Sequence, residues 1–157
     1  MHTVPSAGWL PRTAVLVTTL LFFVGCASTT WRTPVTAEMH QDVKNYVDFQ
    51  IRSINELERR LERADTKDKY IATLDFTGSA LASISARGKL LVARYPELNS
   101  RANAPSPIKE ELERQRNFFR EKAYVFQSLQ AGAVRYGSHP SVMQALQKFA
   151  ATTSRTN

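Results

Sequence analysis

The chain has 157 residues, with 21 Lys+Arg against 14 Asp+Glu and a formal net charge of +7. That length suits one domain and leaves no room for a second large one, and a single Cys excludes an internal disulfide framework. Six Gly, seven Pro and 43% hydrophobic residues exclude collagen-like and low-complexity chains and suffice to build a core.

Ahead of the first apolar run the only strong side-chain charge is Arg12. Residues 14–24, AVLVTTLLFFV, are uninterrupted by charge. A helix needs roughly 20 apolar residues to cross the hydrocarbon of a bilayer, so this shorter run fits the apolar region of a signal peptide. The stretch Phe23-Val24-Gly25-Cys26 resembles the lipobox of bacterial lipoproteins, with Val, a small residue and Cys in place and Phe23 where Leu is usual. The resemblance implies that residues 1–25 are removed and that Cys26 is the lipidation site and the first residue of the mature protein. With Ala27 next, it also implies transport to the outer membrane of a Gram-negative envelope, facing the periplasm. Several acyl chains on one residue give durable anchoring, at about 0.8 kcal/mol per buried methylene. An ordinary signal peptide with a chance cysteine, or an uncleaved anchor, is the alternative.

Residues 26–36 read as a tether. The stretch ASTTWRTPVTA at 27–37 is short, polar and interrupted by Pro34, and it reaches at most roughly 36 Å. Trp31 has two readings, a membrane-interface ring or a ring packed on the domain.

A first helix is predicted over 37–64. Val47, Ile51, Ile54, Leu57 and Leu61 draw one apolar stripe, and Asp48, Arg52, Glu56 and Arg60 alternate in sign on another face, where such pairs contribute about 0.2–0.5 kcal/mol each. Asp65 or Thr66 caps a second helix, with Asp68 in its first turn. Its stripe is Tyr70, Leu74, Gly78, Leu81, Ile84 (or Ser85), Gly88, Leu91 and Tyr95, and Gly78, Ala82 and Ala86 permit close approach by a neighbour. Tyr95-Pro96 stops it. Ser106 as N-cap and Pro107 at the first helical position open a third helix over 107–131. Ile108, Leu112, Phe119, Phe126, Leu129 and Ala133 line that helix, and Gly132 and Gly137 mark its end. Pro140 opens a short last helix with Val142, Leu146 and Phe149 inward. The expected fold is all-α: a small antiparallel bundle of three long helices and one short, over 37–152, with a frayed tail at 153–157.

Little in this pattern points to chemistry. His40 and His139 lack the paired spacing of a helical zinc site, and there is no Gly-rich phosphate loop or GxSxG elbow. No metal or cofactor is expected. Asp75, between Leu74 and Phe76, is either a buried acid with a raised pKa and acid/base potential or a solvent-facing residue of an amphipathic helix. The basic clusters Arg114, Arg116, Arg120, Lys122 and Arg59, Arg60, Arg63 attract polyanions. Export argues against nucleic acid and leaves anionic lipid or wall polymer, or no specific ligand.

Leu91-Val92, Tyr95-Pro96-Glu97-Leu98, Glu110-Glu111-Leu112 and Asn117 resemble, in order and rough spacing, the segment joining two long helices in the LemA proteins. That family is helical and membrane-anchored and brings no defined catalytic residues. The first helix lacks its signature, and Ala123 and Phe126 stand where an Arg–Tyr/Asn pattern is expected.

The expected function is that of a non-enzymatic envelope lipoprotein, an adaptor or assembly factor. Its architecture is similar to that of pilotins, which escort a secretin subunit to the outer membrane. Gly78, Leu81, Phe119 and Phe126 are the candidate walls of a partner groove, or else plain core. The alternatives are a surface exclusion or immunity lipoprotein, and an enzyme of the cell wall, which needs an acidic pair in a cleft.

Overall fold

The computed structural model describes Trp31 and residues 33–154. Cys26, the apolar run before it and residues 155–157 lie outside the described residues. The fold is an all-α bundle, without strands among the described residues.

Thr36 opens helix α1 (Ala37–Glu62), its side chain accepting the Met39 N–H. The stripe from Val47 to Leu61 turns inward as its spacing requires, and Met39 and Val43 extend it toward the N-terminus. On the outer face Glu56 holds Arg59 and Arg60 at 2.7 and 2.8 Å. Asp48 breaks the expected ladder and reaches across to Arg114 at 2.7 Å.

Thr66 caps α2 (Lys67–Arg94) by accepting from the Lys69 N–H, while Asp65 binds the Lys69 ammonium at 2.8 Å. Tyr70, Leu74, Gly78, Leu81 and Ile84 are buried, and so are Thr73 and Thr77. The two threonine hydroxyls donate to carbonyls one turn back, at 2.8 and 2.7 Å, so their burial leaves no orphaned donor. A 3₁₀ segment, Pro96–Asn103, then turns the chain.

Helix α3 (Ser106–Glu121) takes Pro105 as its N-cap rather than Ser106, whose hydroxyl donates to Glu110 at 2.5 Å. The single third helix expected over 107–131 is two helices, because Lys122 (φ −92°, ψ 11°) separates α3 from α4 (Ala123–Tyr136). Neither proline nor glycine marks the break. Across the break, Glu58 of α1 accepts from both the Lys122 ammonium and the Tyr124 hydroxyl, two side chains that would point to different sides of an unbroken helix. Gly132, expected at the helix end, lies inside α4, and Gly137 is the C-cap. Helix α5 (Pro140–Ser154) runs past residue 152: Thr153 is buried, and Phe149 and Thr152 pack over Gly78 of α2, which holds the last turn in place.

Cross-helix pairs fix the directions. Asp48–Arg114, Gln50–Gln115, Glu58–Lys122 and Ala64–Tyr136 climb together, so α3 and α4 run parallel to α1. Asp42–Arg94, Tyr46–Gly88, Phe49–Arg87 and Arg60–Phe76 run in opposite senses, so α2 is antiparallel to α1. Asp75–Lys148 and Gly78–Thr152 set α5 parallel to α2. The topology is up-down-up-down.

Two apolar clusters fill the bundle. The lower one, at the N-terminal end of α1, gathers Met39, Val43, Val47, Leu98, Ala104 and Ile108, with Trp31 and Val35 packed against it. The upper one gathers Leu57, Tyr70, Leu74, Val125, Leu129, Val142 and Ala145. Trp31 therefore packs on the domain, its indole N–H donating to the Thr33 carbonyl at 2.6 Å. The lower end is clamped by Arg94, which binds Glu38 at 2.5 Å and Asp42 at 2.7 Å, with the Tyr95 hydroxyl also donating to Asp42. No described helix is long and apolar enough to cross a membrane.

Candidate partner-binding surface

Between the C-terminal end of α1 and α4 the upper half opens into a groove of about 300 Å³. Glu58, Leu61, Glu62 and Ala64 form one wall and Tyr124, Val125, Ser128, Ala131, Gly132, Arg135 and Tyr136 the other, with Tyr70 of α2 at the base. Volumes of this order sit at the lower limit of those that bury a small ligand or a few side chains.

The geometry follows from residues already described. At the Lys122 break Tyr124 and Lys122 both meet Glu58, with the ammonium 2.6 Å from the carboxylate. The Tyr70 ring passes beneath α4 at Gly132, and its hydroxyl donates to the Leu129 carbonyl at 2.7 Å. Burial pushes the Tyr70 phenol well above its ordinary pKa, so it remains a neutral donor. The Tyr136 ring lies 5.6 Å from that of Tyr70 and carries the Arg135 guanidinium at 5.2 Å.

The α4 side of the groove continues onto open surface. Tyr124, Gln127, Ser128, Ala131, Val134 and Arg135 recur at three- and four-residue steps and are all exposed, Val134 at 71% and Tyr124 at 47%. A solvated helix face ordinarily carries mixed charges. This one holds a single cation, Arg135, and no acid.

The residues singled out from sequence are placed elsewhere. Gly78 and Leu81 are buried, Gly78 beneath Phe149 and Thr152 of α5. Phe126 packs against the upper cluster, and Phe119 is half-buried with its ring edge-on to Phe118 at 6.0 Å. In the upper half, then, the chain's own α5 covers the wall offered by Gly78. Asp75 is exposed and bound to Lys148 at 2.8 Å, on the surface rather than in a cleft. His40 approaches Glu111 at 3.9 Å, and His139 is exposed at the start of α5. Among the described residues no group of three or more His, Cys, Asp or Glu is arranged to hold a metal.

Four of the seven side chains in the basic clusters are held in ion pairs, and Arg120 reaches only the neutral Asn117. Arg114 binds Asp48 and Glu111, Lys122 binds Glu58, and Arg59 and Arg60 bind Glu56. Arg116 and Arg63 are exposed.

The α4 surface escaped a reading based on apolar stripes because Val134 falls off the stripe that ends at Ala133. The signal that finds it is an absence: the last of the carboxylates is Glu121, and none follows in the final stretch of the sequence. No family model matches the chain, and neither a curated protein nor a solved structure does.

Proposed function

We propose that this chain is a bacterial envelope lipoprotein, anchored through an acylated Cys26, whose helical bundle serves as a non-enzymatic protein–protein adaptor or assembly factor in the manner of pilotins. The observation that carries the adaptor role is the charge-poor exposed face of α4 beside the groove, with Val134 and Tyr124 in it. Interface cores are depleted in charge and enriched in Tyr, Met and Arg. Anchoring rests on the Phe23-Val24-Gly25-Cys26 pattern, and an outer-membrane location on Ala27.

The test is mass spectrometry of the protein made in its host, joined to purification from detergent-solubilised envelope. An acylated Cys26 at the N-terminus with one envelope subunit recovered in stoichiometric amount supports the reading. Cys26→Ala should release a folded domain from the membrane fraction. Membrane association unchanged in that variant sinks the lipid anchor. Acylation with no endogenous partner, and a deletion that sensitises cells to phage, plasmid or toxin, moves the assignment to an exclusion or immunity lipoprotein.

A further inference from the structure

We propose that the bundle exchanges its α4–α5 hairpin with a second copy of the same chain, the backbone straightening at Lys122 so that α3 and α4 join into one helix over 106–136. The exchange requires neither the anchor nor the adaptor role.

The hinge is the first observation. Residues 108–131 contain neither Pro nor Gly, and Arg120, Glu121, Lys122 and Ala123 are four good helix formers in a row. Yet α4 starts at Ala123 with no side-chain cap, so its first N–H groups lack the carbonyl acceptors that an unbroken helix supplies. The Val125 N–H turns to the Lys122 carbonyl at 3.0 Å, where an unbroken helix would use that of Glu121. Local backbone energetics therefore favour the straight form at the one point where the chain departs from it.

The second is how the core divides. Beyond Lys122 the chain supplies Val125, Leu129, Val142 and Ala145 to the upper cluster and nothing to the lower one. Between α2 and Lys122 it supplies Leu98, Ala104 and Ile108 to the lower cluster and nothing to the upper one. The hinge thus falls on the boundary between two packing units, and α4–α5 can leave as a piece without opening the lower cluster.

The third is complementarity, which fixes the occupant. The face of α1 and α2 that a departing hairpin uncovers is already fitted to that hairpin. A second copy restores the Tyr70 bond to the Leu129 carbonyl, the Asp75–Lys148 pair and the packing of Phe149 and Thr152 over Gly78, which is why exchange of identical elements is a low-cost route to a dimer. What a straight helix does not restore is the pair of bonds to Glu58, because Lys122 and Tyr124 then point to different sides. The closed monomer is held by those bonds and by the millimolar effective concentration of its own tethered hairpin, so exchange belongs to high local concentrations of the chain.

The test uses two full-length chains, Asp75→Cys labelled with heavy isotopes and Lys148→Cys unlabelled. They are unfolded in urea, mixed, refolded together in mild detergent at high protein concentration, and treated with a short bis-maleimide. The side-chain ends of Asp75 and Lys148 lie 2.8 Å apart in the bundle, so an exchanged pair links a heavy peptide to a light one, which mass spectrometry reads directly. Leu90→Cys in place of Asp75→Cys is the collision control, being exposed on α2 beyond the level where α5 ends. The expected heavy–light link between 75 and 148 exceeds the control at least tenfold. Ala123→Gly, at the exposed first residue of α4 but in the interior of the straight helix, should lower it about tenfold, since each dimer holds two hinges. Glu58→Gln should raise it, a change that loss of folding could not mimic together with the first. A 75–148 link no stronger than the control overturns the exchange, and a strong link that Ala123→Gly leaves unchanged or raises overturns the straightening at Lys122.

Discussion

The ring of Tyr70 lies against the backbone of Gly132, in the space that a Cβ at residue 132 would need, and its hydroxyl donates to the Leu129 carbonyl of the same helix. The two residues come from α2 and α4, so this contact ties the base of the groove to its wall. At Gly78 a Cβ would instead meet the Phe149 ring at 3.5 Å, an ordinary contact. Two glycines in helices thus do different jobs, and substitution separates them.

Gly132→Ala should destabilise the bundle by about 1–3 kcal/mol, because the buried Tyr70 ring must shift. Gly78→Ala should be neutral or stabilising by up to about 1 kcal/mol through helix propensity. Urea melts followed by circular dichroism decide between these signs. Equal effects at both positions would refute the distinction.

Tyr70 also predicts an alkaline weakness. Its folded pKa is raised above the ordinary 10.0 by burial, so the neutral phenol is favoured in the native state. The stability that goes with this is complete below about pH 10 and is lost as pH rises beyond it. Tyr70→Phe should cost about 0.5–1.5 kcal/mol at neutral pH through the lost hydrogen bond. The same variant should lose less stability than the parent between about pH 8 and pH 11. Tyr95, raised by burial and then by its bond to Asp42, shares the direction, so a residual alkaline slope belongs to it.

At the helix break Lys122 pairs with Glu58, the two side chains 18–23% exposed. A double-mutant cycle with Glu58→Gln and Lys122→Met should give a coupling of about 1 kcal/mol, above the median for exposed ion pairs because the site is half-buried. Tyr124→Phe in the Glu58→Gln background should then be nearly silent. A coupling indistinguishable from zero would show that the pair does not hold the break.

Leu81 and Leu90 sit on one helix with opposite surroundings, 8% and 71% exposed. Leu81→Asp should cost roughly 3 kcal/mol or more, through the lost burial and an unpaired acid in the core, and unfold the domain or lower its melting point steeply. Leu90→Asp should shift stability by no more than about 0.5 kcal/mol.

Much of the fold is legible from spacing. The inward faces of α1 and α2 follow from the steps between Val47 and Leu61 and between Tyr70 and Ile84, since each stripe has a single way to face a core. The Tyr95-Pro96 stop is equally local. What was not legible depends on partners distant in sequence. The interruption at Lys122 carries no local breaker, and the carboxylate that its two flanking side chains share, Glu58, lies more than sixty residues earlier. Gly132 reads as a terminator until the Tyr70 ring is seen against it. The buried Thr73 and Thr77 look polar but satisfy themselves one turn back. The groove suggested by Gly78, Leu81, Phe119 and Phe126 failed to allow for α5, which packs over Gly78 within the same chain.

Trp31 has a consequence for any encounter at the membrane. With its ring docked on the lower cluster, a chain held at Cys26 has a reach to residue 31 of at most about 17 Å, against about 36 Å to residue 37. The volume swept by the domain falls with the cube of that length, about tenfold. A membrane-bound target within reach then sees a local concentration about tenfold higher, and one beyond that radius is never met. A single indole contact thereby trades search range for encounter frequency.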